Sequence, residues 1–338
     1  KLDKDNMLGE IDTLPAQLER AWEIGCASVK PIPGSITRVV ICGMGGSAIG
    51  ADLLVACIAP ICQVPVVVHR DYGLPAWAKG PDTLVIASSH SGNTEETLDS
   101  FAAARKAGCR LLAITTGGEL EQAARRVDVP VWKFSHAGQP RAAVGYSFGL
   151  LLSAMARLAL IPEYRKDLQQ AAEEMHRQQT TLMVDVPADA NPAKRLAGLM
   201  VGRWVTVYGS GMLAPVARRW KGQVNELAKA GASFEILPEA DHNALAGLVN
   251  PEMRSQTMTI FLTPGDHPRN QRRLELTRQA FTAAGLKSET YTACGASSLA
   301  QMWTALHFGD YTAFYLAMAY GMDPTPVQAL QDLKTALK

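Results

Sequence analysis

Short apolar runs alternate along the chain with longer segments whose apolar residues recur at helical spacing. In the first half, the β-rich runs lie at residues 38–42, 64–69, 83–87, 110–115 and 129–134. This alternation is typical of βαβ units. Because the runs are almost continuously apolar, we expect a parallel sheet covered by helices on both faces. In such sheets, ligands bind beyond the carboxyl ends of the strands.

A second alternating set follows, with β-rich runs at residues 203–208, 234–237, 257–262 and 287–292. Residues 39–45 resemble residues 206–212, since each segment leads from a strand through a glycine-rich turn into a helix. The length of 338 residues also favours two domains. We therefore predict an α/β protein with an N-terminal domain at residues 1–155 and a C-terminal domain at residues 156–338.

Longer helical patterns frame these two sets. They lie at residues 8–26, 142–160, 163–183, 303–320 and 326–337. The first pattern predicts one helix that crosses a domain surface, because its apolar positions recur at intervals of three and four. The last two predict a closing helical region.

Composition limits the classes of function. The chain has 33 Lys and Arg residues against 32 Asp and Glu residues, without a block of like charge. This balance excludes the basic surface that typically binds nucleic acid. The six cysteines include no C-x-x-C pair, and no targeting segment or membrane-spanning run is evident. We expect a reduced, cytoplasmic protein that contacts neither nucleic acid nor a membrane.

Residues 88–97 read Ser-Ser-His-Ser-Gly-Asn-Thr-Glu-Glu-Thr and follow an apolar run. Hydroxyl groups, backbone N–H groups and the positive end of a helix can all face one small anion there. The stretch contains no lysine or arginine, unlike the Walker loop that binds magnesium nucleotides. It therefore predicts a site for the phosphate group of a metabolite.

Residues 43–48 read Gly-Met-Gly-Gly-Ser-Ala and fit the dinucleotide-binding pattern G-x-G-x-x-A. A nicotinamide-dependent dehydrogenase is therefore an alternative. The acidic residue expected after the next strand is missing, because Val68, His69 and Arg70 stand there. The hydroxyl-rich turn after the third strand favours a phosphate site over a hydride-transfer site.

Further motifs appear in a specific order after these two stretches. They lie at residues 139–146, 225–226, 238–243, 323–327 and 333–334. Together they resemble the bifunctional phosphoglucose/phosphomannose isomerases, which consist of two sugar-isomerase (SIS) domains. The resemblance spans essentially the whole chain. It implies two SIS-type subdomains and interconversion of glucose 6-phosphate and fructose 6-phosphate, extended to mannose 6-phosphate, through a cis-enediolate.

The resemblance also implies the roles of individual residues. Glu226 matches the catalytic base, Arg141 faces the enediolate, and His242 acts on the ring oxygen across a dimer interface. Lys334 matches a lysine near the ring oxygen, and Thr325 influences which C2 epimer is accepted. The implied phosphate site comprises Gly45, Gly46, Ser47, Ser89, Ser91 and Thr94. One departure is Ala244, which stands where the family usually has glutamate after the His-Asn pair.

The implied reaction uses a phosphorylated hexose and a homodimer, with neither a metal nor a cofactor. The histidines outside the motifs show no metal-ligand spacing, so we interpret them as structural or surface residues: His69, His136, His176, His267 and His307. His90 is interpreted as filling the turn between two serines. A non-catalytic SIS module that senses a phosphosugar remains an alternative, as does the NAD(P)-dependent dehydrogenase.

Overall fold

The structure, a computed structural model, describes residues 2–28, 34–249, 254–264 and 267–337. Two compact units divide the chain. The N-terminal unit comprises residues 13–173, and the C-terminal unit comprises residues 1–12 together with residues 174–338. The compact division thus lies at residue 173 and separates the first twelve residues from those that follow. The boundary between residues 155 and 156 remains a prediction for the SIS domains.

The N-terminal unit contains a parallel sheet with strand order β2-β1-β3-β4-β5. Its strands are β1 (Arg38–Cys42), β2 (Val66–His69), β3 (Thr83–Ser89), β4 (Arg110–Thr115) and β5 (Val131–Lys133). Its helices are α2 (Leu14–Ala27), α3 (Gly45–Ile58), α4 (Glu95–Lys106), α5 (Gly118–Arg125), α6 (Val144–Arg157) and the first part of α7 (Arg165–Gln179). The predicted parallel sheet is confirmed.

Strand β3 is the centre of this unit, since all seven of its residues are buried. In register, Ile41 of β1 pairs with Val68 of β2 on one side and with Ile86 of β3 on the other. One face of the sheet packs against α4 and α5 through an apolar cluster that includes Val85, Phe101 and Leu120. The strand order reverses between β1 and β3, which is where sheets of this topology bind ligands.

The C-terminal unit contains a second parallel sheet with strand order β7-β6-β8-β9. Its strands are β6 (Trp204–Ser210), β7 (Ala232–Leu237), β8 (Thr257–Thr263) and β9 (Lys287–Thr292). Its helices are α1 (Met7–Asp12), α8 (Pro192–Met200), α9 (Ala214–Glu226), α10 (Pro268–Ala283), α11 (Ser298–Ala319) and α12 (Gln328–Ala336). Short 3-10 turns occupy Gly211–Leu213, Glu239–His242, Ala244–Val249 and Arg254–Gln256. Two copies of one α/β arrangement are therefore present.

Two helices differ from the prediction. The single helix expected at residues 8–26 is wrong, because α1 ends at Asp12 and α2 begins at Leu14. Pro15 lies in the first turn of α2, where its missing N–H is tolerated, whereas it would clash within a continuous helix. Helix α8 was not anticipated. Its signal is Asn191 before Pro192, since the Asn191 side chain accepts hydrogen bonds from the N–H groups of Ala193 and Lys194.

A buried ion pair joins α9 to α11 in the C-terminal unit. The Arg219 guanidinium donates to both carboxylate oxygens of Asp310, at 3.1 and 2.8 Å, and both side chains are buried. Burial raises the pKa of the Asp310 carboxyl, and the facing Arg219 opposes that rise. Removal of either partner would leave an uncompensated buried charge, so the pair fixes how α9 lies against α11.

Helix α1 attaches to α11 through polar contacts around a small apolar surface. Met7 and Ile11 of α1 are buried. The His307 ring donates from Nε2 to the Ile11 carbonyl at 3.0 Å, and the Tyr311 hydroxyl donates to the Asp12 carboxylate. Burial lowers the pKa of His307 to about 4, so the ring is neutral at physiological pH. The first residues of the chain thereby belong to the C-terminal core.

Neither a membrane-spanning helix nor a disulfide bond occurs among the described residues. Within the described ranges, no helix is long and apolar enough to cross a membrane. All six cysteines lie in those ranges and are free thiols. Burial raises the pKa of Cys42 and of Cys57 to about 12, which keeps both thiols protonated and unreactive.

His307 makes stability depend on pH. Its pKa is about 4 in the folded state and 6.5 in the unfolded reference, so only the unfolded state takes up the proton between those values. Stability is therefore lost as pH falls from 6.5 towards 4, by about 3 kcal/mol. We expect His307→Gln to flatten this part of the curve of unfolding free energy against pH, measured by urea denaturation. The half-buried His69→Gln is the matched control, and an unchanged slope in His307→Gln would contradict the assignment.

Candidate active site

The segment from Ser88 to Thr94, here called the hydroxyl turn, links β3 to α4. The Ser89 hydroxyl accepts a hydrogen bond from the Gly92 N–H at 3.1 Å and lies 2.9 Å from the Thr94 hydroxyl. The Ser91 hydroxyl accepts from the Asn93 N–H at 3.2 Å. Ser89 is buried, Thr94 is half-buried and Ser91 is exposed. The turn therefore presents hydroxyl groups at several depths around the N-terminus of α4.

Gly92 has a required place in this turn. Its φ is +68°, and a Cβ there would lie 1.9 Å from the Gly117 carbonyl oxygen. The Gly92 carbonyl accepts from the Leu120 N–H at 2.9 Å, and the Asn93 side chain accepts from the Glu119 N–H at 3.0 Å. The hydroxyl turn thus rests directly on the connection between β4 and α5, and a larger residue at position 92 would displace it.

The glycines at the junction of β1 and α3 differ in how closely other parts of the chain approach them. Gly45 has φ +49°, and apart from its chain neighbours and the backbone of its own helix, no described residue comes within 4 Å of a Cβ built there. A Cβ on Gly46 would lie 2.4 Å from the Pro140 carbonyl oxygen, and one on Gly43 would lie 2.8 Å from the Ser88 carbonyl oxygen. Of the two glycines predicted to bind phosphate, Gly45 faces open space, while Gly46 permits close approach of the chain at Pro140.

Helices α3 and α4 therefore begin beside each other, at the carboxyl ends of the adjacent strands β1 and β3. Ser47 is buried in the first turn of α3, and its carbonyl accepts a hydrogen bond from the Ser147 hydroxyl at 3.2 Å. The unpaired N–H groups of both helix ends carry partial positive charge. This arrangement can bind an anion of phosphate size without a fixed cation.

Arg141 lies in the same unit, on the 3-10 turn Pro140–Ala142 that packs against α3. Only 7% of its surface is exposed. The Gln17 amide of α2 donates to the Ala142 carbonyl at 2.9 Å and so connects this turn to α2. A guanidinium keeps its charge at every relevant pH and can face two adjacent oxygens at once.

The structure pairs two histidines that the sequence did not connect. His90 of the hydroxyl turn lies with Nε2 2.9 Å from Nδ1 of His136, and the rings of Phe134 and Tyr146 lie beside them. Burial lowers the pKa of His90 to about 4, and His136 adds to that effect. The His90 ring is therefore uncharged at neutral pH. The prediction of His90 as a filler missed this contact, because sequence reveals only that both histidines follow strands.

In the C-terminal unit, Glu226 is the last residue of α9 and is half-buried. Arg219, Gln223 and Glu226 follow the i, i+4, i+7 spacing and so share one face of that helix. Since Arg219 pairs with Asp310 of α11, the rotation of α9 that orients Glu226 is fixed by buried groups.

Two other predicted residues of this unit differ sharply in exposure. Thr325 is only 4% exposed, and its N–H donates to the Asp323 carboxylate at 3.0 Å. Lys334 lies on α12, where all residues from Gln328 to Ala336 are exposed. Thr325 is therefore held in a defined turn, whereas the Lys334 ammonium is in contact with solvent.

His242 ends the 3-10 turn Glu239–His242, and its side chain is exposed. The preceding Asp241 carboxylate accepts from Arg273 at 3.0 Å and from the Thr277 hydroxyl at 2.8 Å. These contacts fix the backbone that carries His242 while leaving its ring accessible. Ala244 packs against the apolar cluster around Tyr208 and Phe261, so this position is an apolar contact in this chain.

The predicted site residues therefore separate into two groups. The N-terminal unit brings together Gly45, Gly46, Ser47, Ser89, Ser91, Thr94 and Arg141. The C-terminal unit holds Glu226, His242, Thr325 and Lys334. In the part of the chain that the structure describes, no cluster of three or more His, Cys, Asp or Glu side chains is arranged to hold a metal ion. The role of each residue remains a prediction.

Two parallel sheets with a hydroxyl turn at the strand-order reversal define a protein of the SIS class. The family model of the bacterial phospho-glucose isomerase C-terminal SIS domain matches residues 189–337. The crystal structure of tagatose-6-phosphate ketose/aldose isomerase from Escherichia coli has the same fold, with a TM-score of 0.70 at 18% sequence identity. That similarity covers 94% of this chain and 94% of the other.

Sequence relatives identify the family more closely. A bifunctional phosphoglucose/phosphomannose isomerase from Caldicellulosiruptor bescii is 38% identical over 335 residues, which is 98% of this chain and 98% of that protein. A protein with the same name from Aquifex aeolicus is 33% identical over 319 residues, or 94% of each chain. The chain belongs to the family of bifunctional phosphoglucose/phosphomannose isomerases. The resemblance found in the sequence is therefore confirmed.

The hydroxyl turn allows a conservative test of anion binding. Thr94→Val keeps the side-chain shape and removes one hydroxyl, so we expect affinity for fructose 6-phosphate to fall roughly threefold to tenfold. Calorimetric titration measures this change. Thr97→Val on the same helix is the matched control, because the Thr97 hydroxyl is buried without a partner among the described residues. Equal affinities of Thr94→Val and the unaltered protein would exclude the Thr94 hydroxyl from the site.

Proposed function

We propose that this protein is an isomerase that interconverts glucose 6-phosphate and fructose 6-phosphate and also accepts mannose 6-phosphate. The observation that carries the proposal is the hydroxyl turn at the junction of β3 and α4, in a chain that belongs to this isomerase family from end to end. The turn offers hydroxyl and N–H donors to a phosphate group. The reaction itself needs further groups that handle protons and negative oxygen.

The phosphate group is proposed to bind at the N-termini of α3 and α4. Ser47, Ser89, Ser91 and Thr94 supply the hydroxyl groups, and Gly45 leaves open space for the approach of phosphate oxygens. Since no fixed cation is part of this set, binding depends on hydrogen bonds and helix dipoles. Such binding suits a metabolite that must be released after each turnover.

Glu226 is proposed to move the proton. Its carboxylate removes the proton from C2 of the open-chain aldose, which leaves a cis-enediolate with its negative charge on O1. The carboxylate then returns the proton to C1 while the O2 proton passes to O1, which gives the ketose. The Arg141 guanidinium is proposed to face the two enediolate oxygens and stabilise their negative charge. One base serves both aldoses, because glucose 6-phosphate and mannose 6-phosphate yield the same enediolate once C2 loses its configuration.

His242 and Lys334 are proposed to open the sugar ring by exchanging a proton with the ring oxygen. The exposed ring of His242, on a backbone held by Asp241, supports a role at a surface shared with a second copy of the chain. We therefore propose a homodimer in which His242 acts on the substrate of the other subunit. Thr325, buried in its turn, is proposed to influence which C2 epimer is accepted.

A cytoplasmic location and a place in glycolysis and gluconeogenesis complete the proposal. The six free cysteines support a reducing compartment. Glucose 6-phosphate and fructose 6-phosphate are intermediates of central sugar metabolism, so an enzyme that interconverts them works in either direction according to demand.

The proposed base has a direct test. Glu226→Gln keeps the size of the side chain but cannot accept the C2 proton, so we expect kcat to fall roughly a hundredfold to ten-thousandfold. Incorporation of solvent deuterium into product should fall in parallel, as measured by NMR, while affinity for fructose 6-phosphate stays within about twofold. Glu289→Gln changes another half-buried glutamate of the same unit and is the control. Unaltered turnover in Glu226→Gln would refute the assignment of the base.

A further inference from the structure

Lys229 stands three residues beyond the end of α9 and has an unusual backbone conformation. Its φ is +54°, which lies in the left-handed region that residues other than glycine and asparagine rarely adopt. Its ammonium donates to the carbonyls of Glu226 at 2.8 Å, Leu227 at 3.2 Å and Asp323 at 2.8 Å. Three ammonium hydrogens thus meet three carbonyl oxygens.

Two of these carbonyls belong to the C-terminal end of the helix that carries Glu226. The last carbonyls of a helix lack partners within the helix and carry partial negative charge. A cation at that point satisfies them and opposes fraying of the last turn. Since Glu226 is the final residue of α9, its side chain would move with any such fraying.

The third carbonyl connects the helix end to a segment 94 residues further along the chain. Asp323 holds that segment in a turn, because its carboxylate accepts from the Thr325 N–H at 3.0 Å. Thr325 is only 4% exposed, so this turn has a fixed place in the C-terminal unit. Through one ammonium group, the backbone at Glu226 is therefore joined to the turn that holds Thr325.

We propose that Lys229 is a positioning residue that sets the place of the Glu226 carboxylate relative to the Thr325 turn. This inference rests on the proposed roles of Glu226 and Thr325. Lys229 acts through the backbone of both, and it neither transfers the proton nor contacts the sugar. It controls the rate of proton transfer at C2 and the ratio of mannose 6-phosphate to glucose 6-phosphate formed from fructose 6-phosphate.

The left-handed backbone of Lys229 makes glycine the best substitution for a test. Lys229→Gly removes the ammonium and fits φ +54° without strain, so the fold is retained. We expect kcat for fructose 6-phosphate to fall roughly tenfold to a hundredfold, with KM within about twofold, because a misplaced base slows proton transfer more than it weakens binding. The product ratio should shift by at least about twofold, and Lys229→Arg should recover part of the lost rate because it retains charged donors.

Asp128→Gly is the matched control, since Asp128 is an exposed residue with φ +53° in the N-terminal unit. It introduces the same backbone change without touching the contacts of Lys229. We expect its kcat and product ratio to equal those of the unaltered protein. A loss of rate in Asp128→Gly as large as that in Lys229→Gly would overturn the proposal.

Hydrogen exchange gives a readout that does not depend on activity. In Lys229→Gly, amides of residues 322–327 should exchange at least about threefold faster than in the unaltered protein, because the turn loses its contact with α9. Unchanged exchange in this segment would overturn the proposal, whatever the kinetics. So would kcat and product ratio equal to those of the unaltered protein.

The failure of this inference is distinguishable from failure of the proposed function. If Glu226→Gln is inactive but Lys229→Gly is fully active, the base stands and the positioning role fails. If Glu226→Gln is fully active, the proposed base fails and the role of Lys229 fails with it. Reduced kcat, a shifted product ratio and faster exchange in Lys229→Gly, with Glu226→Gln inactive, support both.

Discussion

The close approach of chain segments at the carboxyl ends of β1 and β3 is the constraint on which the proposed anion site depends. A Cβ at Gly46 would meet the Pro140 carbonyl oxygen at 2.4 Å, and one at Gly92 would meet the Gly117 carbonyl oxygen at 1.9 Å. The first contact places the turn of Arg141 against the start of α3, and the second places the hydroxyl turn against the connection between β4 and α5. Because backbone lies against backbone, even a methyl group would have to displace a whole segment.

The two units share a backbone plan but carry different chemistry. Gly45 and Gly211 both have φ +49° after the first strand of their sheets, and both sheets place the next strand of the chain at the edge. The hydroxyl turn occurs after β3, whereas the corresponding strand β8 ends in Thr263, whose hydroxyl donates to the Tyr291 carbonyl at 3.3 Å within its own sheet. In this repeated fold, the hydroxyls proposed to bind an anion lie in the N-terminal unit, and the proposed acid–base groups lie in the C-terminal unit.

The sequence predicted those elements that depend on the local pattern of residues. Strands β1, β4 and β9 lie at the residues expected from their β-rich runs, and the hydroxyl turn was recognisable from its own sequence. Contacts between distant segments were not predictable, because neither partner carries a signal for the other. The pairing of His90 with His136 and the contact of Lys229 with Asp323 are of this kind. The roles of Glu226 and Arg141 came from family resemblance, since a helix glutamate and a turn arginine are common on any protein surface.

We propose that this chain isomerises hexose 6-phosphates by proton transfer alone. The most direct measurement is the conversion of fructose 6-phosphate by the unaltered protein in the presence of a metal chelator, with glucose 6-phosphate and mannose 6-phosphate quantified separately by coupled enzymes. This mechanism predicts that both aldoses form and that the chelator leaves the rates unchanged. Binding of fructose 6-phosphate without formation of either aldose would contradict it and would favour a phosphosugar sensor.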